Sequence, residues 1–382
     1  MLRSSLVAAA VGAIVAASSP SHGEVVKPIR IGSFAAVTGQ AAFLGEPTAR
    51  TLELFVDRIN KAGGIDGRPI ALTFYDSKTS AKDAAAIARR LADQDSVDII
   101  IGGNTTGETM AAVPYLDDAG VPFISLAGAS VIVDPVKRFV FKTPHTDQMS
   151  IEKVFGRVRQ LNGAKVALLS GSGGYDQSCR KNATDMAAHA GIRIVADEQH
   201  GTGDSDMTAQ LTKIRAANAD AVLYCGFGAA ASVVAKNYKQ LALSPGLYMT
   251  VGVASRAYID GSDGAAEGTF VTGSALLAYK DLAENDPIHA VTKSFVEAYV
   301  AAYKEQPSNF AGYAYDALLL ATEAVRKAGS SDRAKLRDAL EALNGVPGTN
   351  GVYAFSPTDH LGFSSRSLRV LEVRNDAYRL VD

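Results

Sequence analysis

The chain has no tryptophan and only two cysteines in 382 residues, and aromatic residues make up 7% of it. Neither Cys179 nor Cys225 has a neighbour at metal-ligand spacing, and none of the histidines at 22, 145, 189, 200, 289 and 360 does either. The expectation is therefore no metal and no cofactor. A strong charge of one sign is also missing. The formal net charge is -2 and the pI about 6.3, which excludes the basic stripe that a nucleic-acid partner needs. No G-x-S-x-G elbow, no G-x-x-x-x-G-K-[ST] loop and no G-x-G-x-x-G fingerprint follows any strand-like run. Gly171-Ser172-Gly173-Gly174 has the composition of a phosphate cradle but the wrong spacing. Asp359-His360 reads as a surface turn and not as a catalytic pair. With no base–nucleophile pair in view, the sequence is not that of an enzyme. Repeats of 20–50 residues and low-complexity segments are absent as well.

What is present is a full complement of core-forming residues. The composition is 47% hydrophobic and 20% charged, enough for two or three domains at roughly 150 residues each. The N-terminus has Arg3, then an apolar run from Leu6 to Ala17, then small residues around Ser21 and Gly23. This describes a secretory signal peptide over 1–23, since a bilayer span needs roughly 20 apolar residues. The mature chain is expected to be soluble and exported. Export permits a disulfide, but spacing leaves open whether Cys179 and Cys225 are bridged or are two buried thiols.

Along the mature chain, short apolar runs alternate with amphipathic stretches. Strands are expected at Ile29–Gly32, Arg68–Tyr75, Val97–Ile101 and Pro122–Ser125, with helices over 46–61, after the capping box Ser80-x-x-Asp83, and near 106–119. The alternation restarts with strands Lys165–Leu169, Ile192–Ala196, Asp220–Tyr224 and Leu247–Val251, and helices over 175–190, 206–217 and 228–242. Each series predicts a parallel sheet with helices on both faces. Three helices follow (286–305, 310–328, 331–343), the first opened by Pro287 at its first position, and then a hairpin around 367–373. Ligands of such doubly wound sheets sit at the carboxyl ends of strands, beside helix N-termini. Here those positions carry Ser, Thr, Gly and Tyr, which suits hydrogen-bonded capture.

An ordered set of short motifs runs through nearly the whole mature chain. It includes Thr38-Gly39-x5-Gly45, Ile59-Asn60-x-x-Gly63-Gly64-Ile65-x-Gly67, Ile101-Gly102 before Thr105-Thr106, and Val121-Pro122-Phe123-Ile124-Ser125. Phe141-Lys142-Thr143-Pro144, Gly171-x-x-x-Tyr175, Ala265-x-Glu267-Gly268 and Tyr315-Asp316-Ala317 complete it. This set resembles the periplasmic substrate-binding proteins of branched-chain amino-acid-type ABC transporters. The resemblance implies a type I periplasmic binding fold: two doubly wound parallel-sheet lobes, joined by three crossovers, with a ligand cleft between them. The crossovers would lie near 143–147, 273–279 and 347–351. Lobe one would then be 24–143 plus 279–347, and lobe two 147–273 plus 351–382. The implied partners are a small-molecule ligand and the permease and ATPase subunits of the transporter, with the chain a periplasmic monomer. The rival readings are a branched-chain or other hydrophobic amino-acid binding protein of the same transporter type, and a sensory module of the same fold.

Family binding positions carry over residue by residue. Phe43 and Leu44 occupy the loop after the first strand. Thr105 and Thr106 open a helix, and Ala127-Gly128-Ala129-Ser130 matches a second backbone-and-hydroxyl contact. Tyr175 matches a lobe-two aromatic, while Tyr224, Gly226 and Phe227 close the next strand end. Capping is the plainer role for each Thr or Ser, and the two roles can coexist. One departure bears on the ligand. Amino-acid-binding members carry a carboxylate after the strand at 247–251, whereas this chain has Val251-Gly252-Val253-Ala254-Ser255. A buried ammonium without a partner is costly. With Gly351-Val352 and Ser356-Pro357-Thr358-Asp359-His360, the chain resembles the subgroup that binds aromatic and other organic carboxylates. Arg256 stands close enough in sequence to pair with such a group or to be solvated.

Overall fold

The computed structural model describes residues 27–201 and 203–381, so the signal peptide expected over 1–23 lies outside the described residues. The first series runs β1 (Ile29–Ala35), α1 (Ala42–Lys61), β2 (Ile70–Asp76), α2 (Ala81–Asp93), β3 (Ile99–Gly102), α3 (Thr106–Asp118), β4 (Phe123–Ser125) and β5 (Val140–Lys142). Its strands pair in parallel in the order β2-β1-β3-β4-β5. β5 is three residues long, too short to show a period in the sequence.

The second series runs α4 (Asp147–Gln160), β6 (Lys165–Ser170), α5 (Gly174–Ala187), β7 (Arg193–Gln199), α6 (Thr208–Ala216), β8 (Ala221–Cys225), α7 (Ala229–Gln240), β9 (Gly246–Met249), α8 (Arg256–Gly261) and β10 (Phe270–Ser274). Then come α9 (His289–Tyr303), α10 (Asn309–Ala328), α11 (Arg333–Glu341), the pair β11 (Asn344–Pro347) and β12 (Val352–Ala354), and the hairpin β13 (Leu368–Arg374) and β14 (Ala377–Leu380). The second sheet has the order β14-β13-β10-β9-β8-β6-β7. Its β6–β10 core is parallel, and β13 and β14 extend it antiparallel. The expected parallel sheet thus carries an antiparallel edge, because a hairpin brings its strands back antiparallel.

Burial explains the layering. Along the first sheet, Ile29, Ile31, Ile99 and Ile101 face a core shared with α1, α10 and α11, while Phe34, Ile100 and Phe123 face α2 and α3. Both faces are covered, as parallel strands with continuous apolar runs require. Helix α10 returns to the first sheet and packs along α1.

Local signals mostly hold, with exceptions. Ser80 caps α2 by accepting from Asp83 N at 3.2 Å, the first half of the expected box. Thr105 and Glu108 form a complete box at α3, which runs unbroken through Pro114. Pro287 does not open α9. The helix starts two residues on, because Asp286 Oδ1 accepts from Ile288 N and holds the segment in a turn. His360 is not at the surface. It is buried, stacks on Phe141 at 4.0 Å between ring centroids, and joins Val140 O through Nδ1 and Glu341 through Nε2.

The three places where the chain passes between the sheets are fastened together. Asp316 on α10 accepts hydrogen bonds from Thr349 N, Asn350 N, Asn350 Nδ2 and the Tyr353 hydroxyl. Tyr353 also donates to Thr143 O, and Ser274 Oγ donates to Thr349 O. Burial nonetheless pushes the Asp316 carboxyl up to about 6.

Candidate functional site

Between the two sheets lies a cavity of about 220 Å³. One wall comes from the first sheet's strand ends and α10: Gln40, Leu44, Thr79, Asn104, Leu126 and Gly128, with Phe310 and Tyr313. The opposite wall is Gly173, Gly174, Tyr175, Phe227, Val251 and Gly252. Thr105, Thr106 and Gly107 stand at the α3 N-terminus and Pro144 at the crossover. Among the described residues no Asp, Glu, Lys, Arg or His lines this cavity.

Two helix N-termini meet here. Helix α3 presents Thr106 and Gly107, whose backbone N–H groups have no partner within the helix. Helix α5 presents Gly174 and Tyr175 from the other side. The two ends are so close that a Cβ on Gly174 would sit 3.6 Å from Thr106 Cβ. Both ends carry the positive pole of a helix dipole, which favours an anion. The Thr106 hydroxyl is buried with no hydrogen-bond partner, and the buried Tyr175 hydroxyl has the Thr250 hydroxyl beside it. Burial raises the Tyr175 pKa well above its ordinary value, so it is a neutral donor.

The first wall is wired in place. Asn104 Oδ1 accepts from Ala36 N at 3.1 Å, and its Nδ2 donates to Thr48 Oγ1 at 3.0 Å. Buried Glu108 accepts from Thr105 N at 3.0 Å and from Ser77 Oγ at 2.5 Å. Behind the second wall, Asp176 accepts from Gly173 N at 2.9 Å, its carboxyl pushed up to about 6, mainly by burial. His200 and Tyr224 pair beside it at 3.2 Å. This acid–base group lies beneath the wall and not on it.

The residues singled out from the sequence divide. Leu44, Thr105, Thr106, Gly128, Tyr175 and Phe227 line the cavity. Phe43 lines an adjoining one. Ala127, Ala129, Ser130, Tyr224, Gly226 and Ala254 do not line the cavity. Ala127 and Ala129 point into the core below the first sheet. Ser130 turns to α5, where Asn182 Nδ2 donates to its hydroxyl at 3.1 Å. The Tyr224 ring fills the space where a Gly226 side chain would be, and Ala254 is sealed in the lobe-two core. Arg256 is half-exposed and paired with Asp260 and Asp376, away from the cavity. Sequence reading missed Phe310 and Tyr313, which reach the cavity from a helix about 180 residues downstream of Gly128; their one signal was their place at the start of α10, just ahead of the Tyr315-Asp316-Ala317 motif.

Cys179 on α5 and Cys225 at the end of β8 form a disulfide, which settles the pairing left open by spacing. Among the described residues no group of His, Cys, Asp and Glu could hold a metal ion, and no helix is long and apolar enough to cross a membrane.

A family model described as periplasmic binding protein matches residues 28–377. The chain belongs to this family. It is a type I periplasmic binding protein of the Leu/Ile/Val-binding type. A similar curated protein is the leucine-, isoleucine-, valine-, threonine- and alanine-binding protein of Pseudomonas aeruginosa, 25% identical over 93% of this chain and 90% of its own length. Leu/Ile/Val-binding protein homolog 7 of Brucella melitensis is 26% identical over 92% and 89%. Among solved structures, an extracellular ligand-binding receptor from Rhodopseudomonas palustris HaA2 superposes with a TM-score of 0.86 at 26% identity, covering 92% of this chain and 99% of that one. The branched-chain amino acid transporter substrate-binding protein LivJ of Streptococcus pneumoniae, in complex with isoleucine, gives 0.80 at 25% identity over 92% and 98%. These family members are solute-binding proteins, not enzymes.

Proposed function

We propose that this periplasmic binding protein captures a small organic carboxylate, aromatic acids included, and delivers it to the permease and ATPase subunits of an ABC importer without chemical change. In this reading the chain is an exported periplasmic monomer, with lobes made of 24–143 plus 279–347 and of 147–273 plus 351–382. The observation that carries the ligand class is the uncharged cavity with two helix N-termini pointing into it. A carboxylate finds free N–H groups and the Thr106 hydroxyl there. An α-ammonium would find no carboxylate among the described residues of the wall, where Gly252 presents bare backbone. Size agrees. An apolar cavity of roughly 150 Å³ holds benzene, so about 220 Å³ holds one ring with its carboxylate. Phe310, Tyr313, Tyr175 and Phe227 offer that ring aromatic faces.

The rival is a branched-chain amino acid, as the names of the Pseudomonas and Streptococcus relatives suggest. A thermal-shift panel of leucine, valine, benzoate-type acids and short keto acids separates the two. A ligand at a hundred times its Kd stabilises by about 2.7 kcal/mol, and the acids are expected to do so. A shift with leucine and with none of the deaminated acids would sink the proposal. Thr106→Val should weaken the acid found by about tenfold, because a charge-assisted hydrogen bond is lost. Unchanged affinity removes Thr106 from the site.

A further inference from the structure

A second cavity of about 440 Å³ adjoins the first, and Gln40 and Gly252 line both. The two are parted by an aromatic pair, Phe43 from the first lobe and Phe227 from the second, stacked with ring centroids 6.2 Å apart. Phe43 is also held edge-on to Phe310 at 5.6 Å. The pair fits because Gly228 has no side chain: a Cβ there would lie 3.1 Å from Phe43 Cε1. Gly252 leaves the neighbouring strip of wall bare, since a Cβ on it would meet Gly226 O at 2.8 Å.

The outer chamber has a different chemistry from the inner one. Its walls are Ala42, Val233, Val253, Ala257 and the Tyr258 side. Two of its polar side chains are already engaged. Ser232 Oγ donates to Tyr258 O at 3.2 Å, and Lys236 pairs with Asp263 at 2.6 Å. Among the described residues no buried hydroxyl without a partner lines it, whereas the inner chamber has Thr106. The outer chamber thus offers mainly apolar surface and small residues, with Gln40, Ser232, Ser255 and the ion-paired Lys236 as its polar side chains.

We infer that the two cavities form one bipartite site whose ligand is an aromatic acid with an apolar substituent opposite its carboxylate. The carboxylate and ring fill the inner chamber. The substituent passes over Gly252 and beside Gln40, skirts the phenyl pair, and ends in the outer chamber. This rests on the carboxylate reading above and extends it to the far end of the ligand.

The test is calorimetric titration of the full mature protein with benzoate and its 4-methyl to 4-hexyl derivatives. Burying a methylene is worth about fourfold in affinity, so Kd should fall by about fourfold per carbon once the tail passes the phenyl pair. Ala257→Phe fills the outer chamber and should return the hexyl acid to the affinity of the methyl one. Phe43→Ala widens the passage and should let branched 4-alkyl groups bind as well as linear ones. If benzoate binds and every lengthened acid binds more weakly, the outer cavity is only a solvent gap and the inference is overturned, while the carboxylate reading stands. If the tailed acids gain affinity but Ala257→Phe does not cancel the gain, the tail lies elsewhere and the inference again fails. Failure of every acid, benzoate included, overturns the carboxylate reading and this extension together.

Discussion

The two walls of the cleft are built on different plans. The wall of the first lobe presents polar side chains, Gln40, Thr79, Asn104, Thr105 and Thr106, several of them tied into buried hydrogen-bond networks through Asn104 and Glu108. The wall of the second lobe presents bare backbone at Gly173, Gly174 and Gly252 together with the aromatic faces of Tyr175 and Phe227. A pre-wired wall orients a ligand at little cost in ordering. A wall of glycine and rings closes over it and adds contact area and N–H groups. The first lobe therefore reads polarity, and the second reads shape.

Three changes sharpen or break that contrast. The largest effect is expected from the Cys179–Cys225 bridge, which fastens α5 to β8 behind the second wall across 46 residues. Replacing both cysteines with alanine should cost about 4 kcal/mol by loop-closure entropy. Urea unfolding, with hydrogen exchange to locate the loss, should show it in residues of the second sheet. Equal loosening of both lobes would mean that the walls are not independently supported. Next comes the contact between the walls. A Cβ on Gly128 would approach Tyr175 Cε2 at 2.9 Å. Gly128→Val should obstruct closure and weaken ligand binding by about ten- to a hundredfold, or about 1.4–2.8 kcal/mol, with little change in the melting of the unliganded protein. Unaltered binding would show that this contact is not needed for capture.

The smallest effect is electrostatic. Burial holds the Asp176 carboxyl up at about 6, above the roughly 3.9 of an unfolded aspartate. Between those values the folded chain keeps a proton that the unfolded chain has released. For this group alone, unfolding free energy should rise as pH falls from about 6.5 to about 4, by about 1 kcal/mol per unit at most, and be flat above about 7. Asp316 titrates in the same window. Asp176→Asn should thus remove part of the slope, and an unchanged slope would place the whole effect at Asp316.

The architecture was readable because central parallel strands such as β3 and β8 are continuous apolar runs and several helices carry a cap or a one-face stripe, as at Ser80 and Thr105. The short β5 and the antiparallel edge were not, since three residues show no period and hairpin pairing depends on where the tail returns. For the site, the strand-end rule picked the right loops. It did not say which side chain in each loop turns inward. In the 127–130 loop only Gly128 faces the cavity, because its alanine neighbours complete the core and Ser130 is drawn away by Asn182. Phe310 and Tyr313 depend on the long-range return of α10, which no local pattern encodes.

The knot at Asp316 has a mechanical consequence. All three connecting segments are tethered through Asp316 and its neighbours, so sliding one lobe past the other would tear several buried bonds at once. A swing about the tether would leave them in place, so these bonds favour an angular motion of one finished wall toward the other over a sliding one.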